Sequence, residues 1–178
     1  MEPIHLSVIS PCYNESESVR ECVVRTLNAV RAFEKVESFE HIFVDNQSSD
    51  ESLKTLIKLK NEYPHLRIFQ NSENIGVFRS IRQAILKSRG NYIVPFLASD
   101  NQDPPELITE MLTVLSSGKF DSVFGVRKTR IESKIFLLLR KIFYRILKLG
   151  TGGSYRAGAS EYCLVSVSYT HLTLPTKA

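Results

Sequence analysis

Oxygen-bearing side chains crowd four short segments of this 178-residue chain: PCYNES at 11–16, DNQSSD at 45–50, NSENIG at 71–76 and SDNQDPP at 99–105. Carboxylates and amides of this kind accept hydrogen bonds from polar ligands, and carboxylates also suit hard divalent cations. Other chemistries are poorly served. GxGxxG and GxxxxGK[ST] are both absent, and the glycine-dense GTGGS at 150–154 does not follow a first strand, which disfavours dinucleotide and P-loop chemistry. No GxSxG elbow exists, and His5, His41, His65 and His171 fall outside the four segments, as surface or strand-flanking residues. Cys12, Cys22 and Cys163 are odd in number and lack metal-ligand spacing, so they read as buried or neutral thiols of a reducing compartment.

The elements that must position these segments follow from hydrophobic periodicity. Leu6–Ser10 reads as a buried strand, and Val19, Cys22, Val23, Thr26, Leu27 and Val30 as the stripe of a helix running to Phe33. His41–Val44 is a second strand, followed by a helix with Leu53, Leu56 and Ile57 inside, ending before Pro64. Arg67–Phe69 is a third strand, and Ile81, Ala84 and Ile85 line a helix closed by Gly90 as C-cap. Tyr92–Leu97 is a fourth strand; Pro104 starts a helix with Leu107, Ile108, Met111, Leu112 and Leu115; Asp121–Val126 is a fifth strand. Strands alternating with single helices predict a doubly wound, mostly parallel, Rossmann-like α/β sheet. All four polar segments then lie beyond the carboxyl ends of strands, where such sheets bind ligands.

Composition agrees with a folded domain: 43% hydrophobic and 24% charged, with 8 Gly and 7 Pro. The net charge of +4 is local. Residues 127–148 carry eight Lys or Arg against Glu132 alone, a local +7 that leaves the remainder at −3. A single cationic surface is expected, with no nucleic-acid partner. No apolar run reaches the ~18 residues of a membrane span, and the first residues lack a signal-peptide pattern. On a helical wheel Lys134, Lys141, Arg145 and Lys148 share one sector opposite Ile135, Leu139, Ile142, Phe143, Ile146 and Leu149. Residues 134–149 therefore read as an interfacial helix for an anionic membrane surface.

In order, SPCYNES, VDNQSSDES, NIGVFRSIRQAI and SDNQDPPEL resemble glycosyltransferase family 2, in the branch of the dolichol-phosphate mannose synthases and polyprenyl-phosphate glycosyltransferases. The resemblance covers residues 4 to about 166 and implies the GT-A fold, incomplete at the C-terminus. It further implies a UDP- or GDP-sugar donor bound by Pro11, Tyr13, Glu15, Asp45 and Asn74, with Asp45 accepting from the base ring N–H. Many relatives carry a second Asp after the first, where this chain has Asn46; Asp50 reads as a cap of the following helix. Ala98 stands at the first position of the family's acid-x-acid metal motif, leaving Asp100, with Gln102 and Asp103, for Mg²⁺ or Mn²⁺. Asp100 and Glu161 are the expected catalytic carboxylates, and Arg127 and Arg130 the residues for donor or acceptor phosphate. Glu161 lies in GASEYCL, where lipid-phosphate relatives have Asp and, two positions on, an Arg replaced here by Cys163.

The implied activity is inverting transfer of a sugar to polyprenyl phosphate at the cytoplasmic membrane face. The alternatives are a hydroxyl acceptor and a non-catalytic nucleotide-binding domain. A receiver-like domain with Asp45 as phosphoacceptor would need an acid pair after strand one and a Lys after strand five, against Cys12-Tyr13-Asn14 and Arg127-Lys128 here. The expected organisation is a donor-binding core at 1–131, an acceptor-side region at 132–166 and a foreign tail at 167–178, where a native edge strand at Tyr169–Leu174 is the alternative.

Overall fold

The computed structural model describes residues 3–126, 145 and 159–167. Two compact units divide the chain, Met1–Val123 with Tyr162–Ala178 and Phe124–Glu161. The core and the polar segments belong to the first.

Through β5 the elements of the described residues alternate as the periodicity predicts: β1 (Ile4–Cys12), α1 (Val19–Arg31), β2 (Val36–Asp45), α2 (Ser52–Glu62), β3 (Leu66–Gln70), α3 (Val77–Lys87), β4 (Tyr92–Val94), α4 (Leu107–Leu115) and β5 (Ser122–Val126), with β6 (Ala159–Ser166) further along the chain. The sheet order is β3-β2-β1-β4-β6-β5. β1 pairs in parallel with β2 and β4, and β2 with β3, whereas β6 runs antiparallel beside β4. Sequence reasoning missed β6. Tyr162-Cys163-Leu164-Val165 is buried on both faces, so its apolar run shows no alternation to mark a strand.

Both faces of the sheet are covered, by different means. Leu6 and Val8 of β1 join Val19, Val23, Leu56, Leu59, Ile108 and Leu112 under α1, α2 and α4, while Ile9 joins Ile42, Val44, Ile93, Cys163 and Val165 with Ala84 of α3. Helices α1 and α2 therefore lie on one face and α3 on the other. The chain moves outward from β1 through β2 to β3, then crosses back to β4 on the other side of β1, so the topological switch point lies between β1 and β4.

Several local expectations are corrected. Ile57 is 52% exposed and Leu59 is the buried residue in its place, because the inward face of α2 runs through Ser52, Leu56 and Leu59. Gly90 is no C-cap: α3 ends at Lys87 with Ser88 extended behind it. A Cβ on Gly90 would lie 2.5 Å from the His5 carbonyl oxygen and 2.7 Å from the Ser7 backbone nitrogen, so the glycine serves close chain approach. Regular pairing of β4 stops at Val94, with a further bond from Leu97 N–H to the Ile9 carbonyl. The helix after Pro104 begins at Leu107, behind a turn in which the Pro104 and Pro105 carbonyls accept from Leu107 and Ile108 N–H.

All three cysteines are free and buried, as expected. His41 is the larger departure. It is fully buried in β2, 4.3 Å between ring centroids from Phe43, with Nε2 2.9 Å from Ser10 Oγ and Nδ1 unpartnered. Burial first, and the neighbouring His65 second, push its pKa down to about 3. The folded chain thus resists a proton that the unfolded chain accepts at its ordinary value near 6.5. Stability is then full above about pH 6.5 and declines as pH falls toward about 3. Urea midpoints measured from pH 7.5 to 4 should fall accordingly, with a flatter profile in His41→Leu whatever its absolute stability.

Candidate functional site

Backbone groups that leave a parallel ladder need new partners, and here the loops supply them to one another. Between the β1–α1 and β2–α2 loops, Asn14 N–H donates to Ser48 Oγ (3.0 Å), Ser49 N–H to Asn14 Oδ1 (2.8 Å), Glu15 N–H to Ser52 Oγ (2.7 Å) and Ser16 N–H to Asp50 Oδ2 (3.2 Å). Asn46 ties the β2–α2 loop to the β3–α3 loop, accepting Ile75 N–H on Oδ1 (3.1 Å) and donating Nδ2 to Asn74 Oδ1 (2.6 Å). On the other side of β1, Ser99 Oγ donates to the Pro11 carbonyl (2.9 Å) and Asn101 Nδ2 to the Ser18 carbonyl (3.3 Å). Each of the four loops also holds one residue at positive φ: Asn14 (57°), Gln47 (62°), Gly76 (83°) and Asn101 (62°). Three of the four are not glycine, a backbone cost of about 1–2 kcal/mol each that the surrounding bonds offset.

At the switch point these loops enclose a cleft of about 190 Å³. Its lining combines Pro11 at the end of β1, Tyr13 and Glu15 from beyond it, Asn46 from beyond β2, Val77 at the start of α3, and Phe96, Ala98 and Asp100 from beyond β4. The volume is below the ~300–1,000 Å³ of sites that engulf a whole drug-sized ligand, so it suits one portion of a longer molecule. Tyr13 is 48% exposed at its mouth. Cys12 also lines the cleft, and burial, followed by the charge of Asp45, pushes its thiol up to about 12, so it is a neutral wall.

Of the sequence-predicted residues, Pro11, Tyr13, Glu15 and Asp100 come together in this cleft. Asp45 stands behind it. It is fully buried at the end of β2, outside the lining, with its oxygens facing Ser48 N–H at 3.3 and 3.4 Å. Asn74 is exposed beside the cleft and accepts from both Asn46 and Gly76 N–H. Asp50 caps α2 as expected, accepting Ser52 N–H on Oδ1 (2.9 Å). Slight burial opposes ionisation of Asp50, but the bonds from Ser52 and Ser16 outweigh it and hold the carboxyl down at about 2.

Glu161 lies in β6, with a side chain outside the described residues, as are Arg127, Arg130 and residues 134–149 apart from the exposed Arg145. Cys163, at the expected Arg position, is buried in the core cluster with Ile9 and Ile93. Among the described residues no helix is long and apolar enough to cross a membrane.

For a divalent ion the protein offers little by itself. Asp100 Oδ1 accepts Gln102 N–H (3.0 Å), Gln102 is exposed, Ala98 brings no ligand, and among the described residues no group of three or more His, Cys, Asp or Glu could hold a metal. A single carboxylate at a cleft fits Mg²⁺ or Mn²⁺ only when ligand oxygens and water complete the shell. The residues missed by sequence reasoning are the apolar walls Val77 and Phe96, and Asn46, whose place in an acid-amide pair before an amide-rich loop was the available signal.

The sequence profile described as glycosyl transferase family 2 matches residues 7–167. An uncharacterized glycosyltransferase of Synechocystis sp. is 31% identical over 145 residues, 81% of this chain and 44% of that protein. The undecaprenyl-phosphate 4-deoxy-4-formamido-L-arabinose transferase of Salmonella choleraesuis is 31% identical over 148 residues, 83% of this chain and 44% of that protein. The chain thus spans less than half the length of these curated relatives. Among solved structures, a Pyrobaculum calidifontis mannosyltransferase in complex with GDP-Man and Mn²⁺ superposes with TM-score 0.65 at 17% identity, over 97% of this chain and 47% of that one. Glucosyl-3-phosphoglycerate synthase of Mycobacterium tuberculosis, with Mn²⁺, UDP and phosphoglyceric acid, gives 0.63 at 16%, over 92% and 56%. At these identities the likeness is one of fold, GT-A.

Asp50→Ala removes a cap and a cross-loop bond together. It should cost about 1–2 kcal/mol in urea denaturation at pH 7. The difference from the unaltered chain should shrink as pH falls below the ordinary carboxyl value toward about 2, where the folded Asp50 itself takes a proton.

Proposed function

This chain belongs to glycosyl transferase family 2, and we propose that it moves a sugar from a UDP- or GDP-linked donor to a polyprenyl phosphate, with inversion, at the cytoplasmic face of the membrane. The observation that carries the donor half is the convergence of Pro11, Tyr13, Glu15 and Asp100 on one cleft at the switch point. In this reading base and ribose lie against Pro11, Tyr13 and Glu15, with Asp45 and Asn74 supporting them. The diphosphate lies toward Asp100 and Gln102. A Mg²⁺ or Mn²⁺ ion arriving with the donor supplies charge neutralisation for the departing diphosphate. Asp100 would be the protein ligand for that ion, and Val77 and Phe96 would give the cleft its apolar walls.

The acceptor half rests on the undecaprenyl-phosphate transferase among the relatives and on the basic segment 127–148. A phosphate acceptor is already ionised near neutral pH, so it needs positioning and charge compensation rather than a strong base. Arg127 and Arg130 are the residues proposed for that task, and 134–149 the segment proposed to meet the membrane surface. Glu161 is the residue proposed to act as base should the acceptor be a hydroxyl.

Calorimetry with UDP and GDP, with and without Mn²⁺, tests the donor half. One nucleotide should bind, Mn²⁺ should tighten it, and Asp100→Ala should forfeit that gain, about tenfold or more. Binding of neither nucleotide, or binding indifferent to both metal and Asp100→Ala, overturns the reading.

A further inference from the structure

The position after Asp45 carries an amide, and the structure gives that amide a task a carboxylate cannot perform. Asn46 is 5% exposed. Its Oδ1 accepts from Ile75 N–H (3.1 Å), Asn71 Nδ2 (3.0 Å) and Ser80 Oγ (3.2 Å), while its Nδ2 donates to Asn74 Oδ1 (2.6 Å). Backbone donors fix the orientation of both amides. Ile75 N–H can be received only by the oxygen of Asn46, and Gly76 N–H (3.1 Å) only by the oxygen of Asn74. The contact between the two side chains is therefore N–H to oxygen in one direction only. Asn71, 8% exposed, and Ser80, fully buried, complete the network, with Asn71 Nδ2 also donating to Ser80 Oγ (2.9 Å) and the single Ser80 hydroxyl hydrogen shared between Asn46 Oδ1 and the Gly76 carbonyl (3.0 Å).

These bonds fasten the whole turn from Asn71 to Gly76, and with it the first residue of α3, Val77, which lines the cleft. We propose that Asn46 is a positioning residue for donor binding: its side-chain amide sets the β3–α3 loop against the cleft, and aspartate cannot replace it. Resting on the donor-cleft reading above, the proposal adds a residue and a direction of hydrogen bonding to it. With Asn46→Asp, a carboxylate would confront the Asn74 oxygen with no donor between them, and rotating Asn74 to supply one would orphan Gly76 N–H.

The test combines nucleotide calorimetry with amide hydrogen exchange in the unaltered chain, Asn46→Asp, Asn46→Ala and Val30→Ala. The last trims a core residue buried at the far end of α1 and controls for loss of stability. Both Asn46 variants should lose about tenfold or more in affinity for whichever nucleotide binds, with exchange at Ile75 and Gly76 accelerated, whereas Val30→Ala should lower the melting temperature and leave both readouts unchanged. Unaltered affinity and exchange in Asn46→Asp overturn the proposal while the cleft reading stands. Equal losses in Val30→Ala also overturn it, by reducing the effect to stability. Failure of the unaltered chain to bind UDP or GDP removes the cleft reading and the proposal with it.

Discussion

Parallel strands that stop at a common edge leave backbone donors and acceptors with no ladder to enter, and satisfying them is the constraint on which this site depends. The chain meets it with short polar side chains. Asn14, Ser48, Ser52 and Asp50 serve the first two loops, Asn46 and Asn74 the second and third, and Ser99 and Asn101 the first and fourth. An apolar side chain in these places would leave the loop N–H groups without a protein partner. Two of these residues, Asn46 and Ser99, also line the cleft, and the backbone can hold left-handed conformations at Asn14, Gln47 and Asn101.

The topology decides where that stitched edge opens. Between β1 and β4 the crossovers leave in opposite senses, which opens a crevice beyond the strand ends. Neutral walls line it on most sides: Pro11, Cys12, Val77, Phe96 and Ala98. Among the described residues Glu15 and Asp100 are then the two acids in an otherwise uncharged lining, where electrostatic interactions are stronger than on open surface. Burial first, and the charge of Asp45 behind the cleft second, keep the Cys12 thiol neutral.

The alternation of strands and helices and the position of the four polar loops beyond the strand ends were legible in the sequence, because periodicity and turn chemistry are local signals, while the grouping of Pro11, Tyr13, Glu15 and Asp100 followed from the resemblance to the family. What was not legible depended on distant partners. Gly90 looked like a helix cap because the close approach of the His5 and Ser7 backbones is invisible from residues 85–90. His41 looked peripheral because its burial comes from β1 and from Phe43. Asn46 looked like a defective acid until its amide was found to bind a loop more than twenty residues later in the chain. β6 was hidden by its insertion into the middle of the sheet, where both faces are apolar and strand alternation vanishes.

That insertion has a bearing on how the protein is made. One flank of β4 is taken by β1, but the other is completed by β6, which follows α4, β5 and the basic segment. A ribosome adding ~5–20 residues per second would leave the Ile93 flank bare for on the order of 10 s after β1 through β4 have emerged. Nascent chains in that interval present an unpaired, apolar ribbon edge, the kind that holdase chaperones shield and that seeds association between neighbours on a polysome.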